Sequence, residues 1–470
     1  MAAANATAAG PEAAAGPEAA AGPEAAAGPE AAAGPEAAAG PEAAAGPEAA
    51  AGKPPRTLWH NGDFLKFWLG ETVSLLGTQV TTLALPLTAI RAFGASDEQV
   101  GLLRFLQLAP YLGLALVFGV WVDRVRRRRV MLAANLVRMV LLALVPVLHW
   151  ADALSMVTLT VIACAVGVAS VLFDVSWMSY VPTLVRDPDQ YVEASAKMGV
   201  SSSTADVAGP GLAGVLVSAL TAPVALIVDA FSYLVSVLSL LLIRTPEPRP
   251  KQGARRHIRS ELRDGLRWVM TDRILRALAL VGFCCNFSMI TVWTMFLIHG
   301  THDLRLAPSV LGGIFATASV GGLIGALVSG RVIDRFRLGR VYLLAQSALL
   351  LGPSLLAVAA GPSWLVIAMC VTSFFVTYLG LGVANVIIVS LRQTSTPASM
   401  MGRMTAAFRT LLFGGGALGG LTAGLLTGAL GGRGALTVAA VGSAAVAIGL
   451  FASPVTRLAA LPSPAEPRAR

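Results

Sequence analysis

Twelve apolar runs recur along this chain, at about 66–90, 100–121, 130–150, 154–177, 196–220, 223–243, 275–298, 309–330, 340–360, 364–390, 404–430 and 434–452. As helix, each is long enough to cross the roughly 30 Å of hydrocarbon in a bilayer. Barrel strands would run about ten residues and alternate in polarity, whereas these runs are longer and continuous. Only 13% of residues are charged and 55% are hydrophobic, against roughly 25% charged in a soluble domain. The expected fold class is therefore all-α and polytopic, with 12 transmembrane helices.

The basic residues set an orientation. With the N-terminus in the cytoplasm, 29 of the 35 Lys and Arg fall on that side and three (Arg91, Arg305, Arg433) on the other. Arg104, Arg138 and Arg409 lie within spans. This positive-inside pattern places both termini in the cytoplasm of a multi-pass cell-membrane protein. The net charge of +9 thus records topology, and nucleic acid is not an expected partner. No basic segment followed by a short apolar core opens the chain, so the first span is expected to act as its own insertion signal. Cys164, Cys284, Cys285 and Cys370 all fall in spans without metal spacing and read as buried apolar thiols.

Outside the spans, residues 10–51 are seven copies of Gly-Pro-Glu-Ala-Ala-Ala. Proline in every unit breaks helix, so 1–57 is expected to be a disordered acidic tail. The further divisions are a first six-helix bundle (58–243), a cytoplasmic linker (244–274), a second bundle (275–455) and a tail (456–470). Within the linker, Leu262, Leu266 and Val269 share one face of a helical pattern beside Arg259, Arg263 and Arg267. That suits either an amphipathic helix on anionic headgroups or a plain solvated connector.

One turn occurs twice. Gly119-Val-Trp-Val-Asp123-Arg124 closes the second run and Gly330-Arg-Val-Ile-Asp334-Arg335 closes the eighth, 211 positions later. Two similar halves that rock against each other carry solutes across bilayers. In such a machine Gly119 permits close helix approach, and Asp123 can meet a helix N-terminus or an arginine as a breakable latch. Basic residues in such a turn also serve simply as headgroup anchors.

These residues resemble motif A of the major facilitator superfamily, Gly-x-x-x-Asp-Arg-x-Gly-Arg-Arg. Gly119, Asp123, Arg124, Arg127 and Arg128 match it, with Arg126 in place of the second Gly, and Gly330, Asp334 and Arg335 match its repeat. Gly209-Pro210-Gly211-Leu212-Ala213-Gly214 in span five is similar to motif C, which the family associates with proton-coupled exporters. Gly414 to Gly420 is its counterpart in span eleven. Phe173-Asp174, Val181-Pro182, Asp229 to Tyr233, Leu391-Arg392-Gln393 and Gly402-Arg403 resemble an exporter branch that includes siderophore and macrolide efflux proteins. The resemblance covers about 60–455 and implies two pseudo-symmetric six-helix bundles. It also implies a central pathway faced by helices one, four, seven and ten, with helices three and six outside it.

Charge inside a membrane costs at least about 2.5–3.5 kcal/mol and marks a pathway or a pair. Proton-coupling candidates are Glu71, Asp206, Asp174 and Arg138, with Asp206 deepest; Asp229 completes the acids. Arg138 and Asp229 equally fit a structural ion pair. Cavity candidates are Asn286, Met289 and Trp293 in span seven, with Phe374, Tyr378 and Asn385 in span ten, each set on one helix face. Ordinary bundle packing gives the same pattern. Aromatic and Met surfaces with a few amides suit bulky amphipathic solutes.

The expected function is secondary active transport, foremost proton-driven export of small amphipathic molecules by alternating access. A proton-coupled importer is the alternative, and a non-transporting sensor or scaffold stands behind it. No cofactor is expected beyond the proton gradient; the partners are a small-molecule substrate, protons and the lipid bilayer, with the protein a monomer. An enzyme is not expected: His60, His149, His257, His299 and His302 all lie shallow, and no His-Glu-x-x-His or Gly-x-Ser-x-Gly occurs.

Overall fold

The computed structural model describes residues 58–122, 124–185, 188–247, 258–397 and 400–460, and among them there is no strand. The repeat tail, Asp123 and the end of the chain past residue 460 lie outside the described residues. The first half comprises α1 (Gly62–Phe93), α2 (Asp97–Leu108), α3 (Pro110–Val122), α4 (Arg127–Trp150), α5 (Met156–Leu184), α6 (Pro188–Leu220) and α7 (Ala222–Leu242). After the connecting α8 (Ile258–Thr271) come α9 (Arg273–His302), α10 (Pro308–Arg335), α11 (Leu338–Leu351), α12 (Ser354–Ala357), α13 (Ser363–Thr394) and α14 (Met401–Gly449).

Ten stretches are individually long and apolar enough to cross a membrane, one of them α11 with α12. The second run departs from the expected single helix. Pro110 lacks a backbone N–H to continue the ladder, and the run bends into α2 and α3. The bend packs closely on α5: a Cβ built on Gly167 would lie 2.4 Å from the Gln107 carbonyl oxygen. The long α14 carries two crossings, because Gly431 at φ +70°, ψ 166° folds it back on itself. That backbone region is open essentially to glycine alone. With these two adjustments the crossings among the described residues number twelve, six to each half.

The ends are set by local chemistry. Asn61 caps α1 by accepting from the Phe64 N–H at 3.1 Å, and Gly94 closes it in the left-handed region at φ +56°. Ser96 and Gln99 form a reciprocal capping box at the start of α2. The helix α8 does form, but it is not a free-lying surface helix. Val269 is buried, Gly265 rests against the Arg403 backbone, and Asp264 pairs with Arg403 at 3.8 Å. It is docked on the start of α14.

We call the end that carries Arg124–Arg129 and Arg335–Arg340 the basic end, and the other the far end. The apolar core differs between them. At the far end one continuous cluster joins both halves, with Leu83, Leu103 and Val217 from the first and Val292, Leu311 and Leu436 from the second. At the basic end the halves keep separate cores, one around Phe67, Phe173 and Tyr180, the other around Leu278, Tyr342 and Phe408. The apolar cores of the halves are thus joined at one end and separate at the other.

Candidate transport pathway

Two pseudo-symmetric glycine crossings close the far end. A Cβ built on Gly312 of α10 would fall 2.7 Å from the Gly214 Cα and 2.4 Å from the Pro210 carbonyl oxygen of α6. One built on Gly101 of α2 would fall 2.6 Å from the Gly424 Cα in the first limb of α14. Gly312 stands 211 positions after Gly101, the spacing of the duplicated turn. Missing side chains let these backbones touch, as small residues do between membrane helices. Across the same end Ser218 accepts from the Ser309 N–H at 3.0 Å, and His302 meets Asp97 at 3.2 Å. Pro210 and Gly214 therefore lie where the halves touch, whereas Gly209 packs against the Gln79 side chain of α1 within the first half.

Below the crossings a cavity of about 490 Å³ lies between the halves. Arg104, Trp293 and Phe315 line its far-end part, and Ser203, Ala326 and Val386 line it towards the basic end. Met289, Trp293, Tyr378 and Asn385 border it. Asn286 instead borders a second cavity of about 190 Å³ within the second half, which shares Met289 and Asn385 with the first. Phe374 does not reach the main cavity. It is 3% exposed and packs at 4.9 Å on Phe296 and 5.2 Å on Phe315. The three rings and Trp293, stacked on Phe315 at 5.0 Å, form an aromatic floor. Helix α5, the fourth crossing, gives the main cavity no lining residue, whereas α2, α6 and α10 do.

The membrane charges separate into three settings. Asp206 lines the cavity and accepts from the Gln79 amide at 2.6 Å. Arg104 lines it too, stacked over Trp293 at 4.9 Å. The other charges lie away from that lining. Glu71 is buried beside Arg138, with no hydrogen-bond partner for its Oε2. Arg138 bonds Asn135 and sits between the Phe173 and Tyr233 rings at 4.4 and 4.3 Å. Asp174 accepts from the Tyr111 hydroxyl at 2.8 Å and pairs with Arg409 of the other half at 3.3 Å. Tyr111 itself stacks on Phe413 at 4.1 Å. Asp229 is fully buried inside the first half, bonded by Thr81 and Ser232.

At the basic end, Gly119 and Gly330 are not in close contact with a neighbouring helix in this structure. A Cβ built on Gly119 would meet only a Val175 methyl at 4.0 Å, and one built on Gly330 would meet nothing within 4 Å. Arg124, Asp334 and Arg335 are exposed. Arg128 caps the end of α7 through the Leu240 and Leu241 carbonyls at 2.9 and 3.0 Å. The N-terminus of α4 is held by Glu247, which accepts from the Arg127 and Arg128 backbone N–H groups at 2.6 and 3.3 Å.

Reading the residues alone misses four participants: Gln79, Arg104 as a cavity residue, Arg409 as the partner of Asp174, and Glu247. The charges of Arg104 and Arg409 inside spans are a signal; Gln79 and Glu247 carry none that separates them from their neighbours.

Comparison with known proteins follows the same lines. The model of the Major Facilitator Superfamily matches residues 67–420 and 301–469. The multidrug efflux pump Tap of Mycolicibacterium fortuitum is 26% identical over 371 residues, which is 76% of this chain and 87% of that protein. The enterobactin exporter EntS of Escherichia coli O1:K1 / APEC is 24% identical over 400 residues, covering 83% of this chain and 89% of that one. Among solved structures, the nucleoside transporter NupG superposes with a TM-score of 0.68 at 13% identity, covering 83% of this chain and 98% of its own. A bacterial homologue of the human lysosomal transporter Spinster, inward-facing and unoccupied, gives 0.66 at 17% identity, covering 86% and 98%. These likenesses carry the fold.

Proposed function

This chain belongs to the Major Facilitator Superfamily, and from that premise we propose that it is a proton-driven exporter of small amphipathic molecules. The basic end faces the cytoplasm of a cell-membrane protein that works as a monomer, and the far end faces outward. The observation that carries the reading is the cavity between the halves, closed outward by two glycine crossings and bordered by an aromatic floor and one acid, Asp206. Two relatives whose names describe an efflux pump and an exporter support the direction.

In the cycle, substrate enters from the cytoplasm or inner leaflet and settles on the Trp293–Tyr378 wall. The halves then rock: the crossings Gly214–Gly312 and Gly101–Gly424 part, and the basic ends meet. A carboxyl that alternates between a buried setting and a cation-paired one loads and releases a proton. Glu71 and Asp174 have that opportunity. The Asp174–Arg409 pair crosses between the halves, so rocking must change it, and Arg138 sits between Asp174's helix and Glu71. Asp206 offers a second proton site inside the cavity. No bound cofactor enters the cycle.

A dye and antibiotic efflux panel in an efflux-deficient host, with and without an uncoupler, tests this. Efflux that stops when the proton gradient collapses supports the proposal. Accumulation in place of efflux reverses the direction, and ATP-dependent transport in deenergised vesicles refutes the coupling.

A further inference from the structure

Among the described residues, Arg104 is the one cation on the cavity wall. It is 9% exposed, and its guanidinium lies 4.9 Å over the Trp293 ring. Its Nη1 donates to a neutral acceptor, the Gln107 side-chain oxygen, at 2.8 Å. The buried Nε has no hydrogen-bond partner, and among the described residues no carboxylate lies within ion-pair distance. Every other arginine inside the spans is differently placed: Arg409 faces Asp174, and Arg138 lies inside the first half near Glu71 and Asp229.

A buried guanidinium without a counter-charge is costly and is retained at pathways or pairs. Its place here is built. Gly420 of α14 removes the side chain that would collide with it, since a Cβ there would fall 2.9 Å from the Arg104 Cγ. The aromatic floor stands beside it: Trp293 stacks on Phe315 at 5.0 Å. Asp206 borders the same cavity but bonds Gln79. The far-end part of the cavity is thus a planar donor fork next to an aromatic surface. That combination matches an acid group carried on an aromatic body.

We infer that the cavity selects amphipathic anions, aromatic molecules with a carboxylate or similar acid whose charge is met by Arg104 and whose ring lies against Trp293 and Tyr378. The inference rests on the cavity being the binding site for the transported molecule, and it narrows the substrate class from amphipaths in general. Charge-assisted hydrogen bonds in a low-dielectric site support about tenfold or more in affinity.

The test uses a matched set of fluorescent probes: dansylglycine (a carboxylate), its neutral amide, and dansylcadaverine (a cation). Binding to the purified full-length protein is read by energy transfer from tryptophan. The expected result is dansylglycine bound about tenfold tighter than the amide, with Arg104→Gln removing that preference and leaving amide affinity within about twofold. Arg104→Lys should retain part of it. Gly420→Ala, which crowds the Arg104 side chain at its Cβ and Cγ and so displaces the guanidinium, should reduce the preference without removing a charge.

Equal or tighter binding of the amide or the cation by the unaltered protein overturns the inference. So does failure of dansylglycine to bind, or an equal loss for all three probes in Arg104→Gln. If Arg104→Gln does not fold, the ratio in the unaltered protein decides. Efflux measured in parallel separates the two proposals. Charge-selective binding without uncoupler-sensitive efflux removes the export reading alone, and charge-blind binding with such efflux removes the anion site alone.

Discussion

The two halves share a frame and fill it differently. At the 211-residue spacing of the duplicated turn, Glu71 aligns with Gly282, Arg104 with Phe315, Asp174 with Asn385 and Asp229 with Ala440. The first half holds buried charge and the polar groups that satisfy it, such as Thr81 and Ser232 around Asp229. The second half holds the rings Trp293, Phe296, Phe315 and Phe374. Duplication therefore supplied a common backbone geometry, seen in the paired glycine crossings, while the two copies diverged in chemistry. In the proposed exporter that divergence separates proton handling from holding the apolar body of a substrate.

The shared part of this comparison gives the largest expected effect on transport. Gly101→Val and Gly312→Val each place a branched side chain where the facing backbone is under 3 Å away, and overpacking of this kind costs about 1–3 kcal/mol. Both should abolish efflux of every substrate to the same degree. If one variant transports normally and the other not, the crossings are not equivalent and the symmetry argument breaks.

The divergent part comes next. Glu71→Gln should eliminate uncoupler-sensitive efflux while leaving dye binding intact, and the same measurements on Phe315→Leu should show weakened binding with coupling kept. Gradient-driven efflux at the normal rate in Glu71→Gln would remove that carboxyl from the coupling scheme. Phe374→Ala should destabilise the protein by about 3–5 kcal/mol, as truncation of a core aromatic does, measured as a fall in melting temperature. A wild-type melting curve would mean that the aromatic floor is not a packed core.

The smallest effect concerns the basic end, where each half caps a helix by its own means. In the first half the Glu247 carboxylate accepts from the N–H groups of Arg127 and Arg128. In the second, the Ala459 and Leu458 carbonyls accept from Leu338 and Gly339 at 3.2 and 2.9 Å. These positions also differ by 211, so one place in the frame is filled once by a charge and once by backbone. Glu247→Gln should cost about 0.3–1 kcal/mol, the usual worth of an anion at a helix N-terminus. Salt should shrink the difference in melting temperature between this variant and the parent, and a salt-independent difference would rule out the electrostatic account.

Much of the architecture was legible because it is written in local pattern. Run length marks the crossings, and the duplicated Gly119 and Gly330 turns mark the halves. Gly431 falls in the gap between the runs 404–430 and 434–452, whereas Pro110 lies inside the run 100–121, which run length alone reads as one helix. Pairings across the molecule were not legible. Helical periodicity says which residues share a face, and Phe374, Tyr378 and Asn385 do, but it does not say how far a cavity extends along that face. Phe296 and Phe315 fill the space in front of Phe374 from other helices. Arg409 was evident as a charge in a span, yet its partner lies 235 positions away in the other half. Contacts of that kind are decided by how the bundles dock, and no window of sequence contains them.

The carbonyls of Leu458 and Ala459 also bear on how the polypeptide is handled. Shortening it after residue 452, or fusing an affinity tag there, would strip two acceptors from the start of α11 and expose Gly339, whose Cα has no side chain to shield the space vacated by Thr456. Purification handles belong beyond Ala459, where they leave this backbone clasp in place.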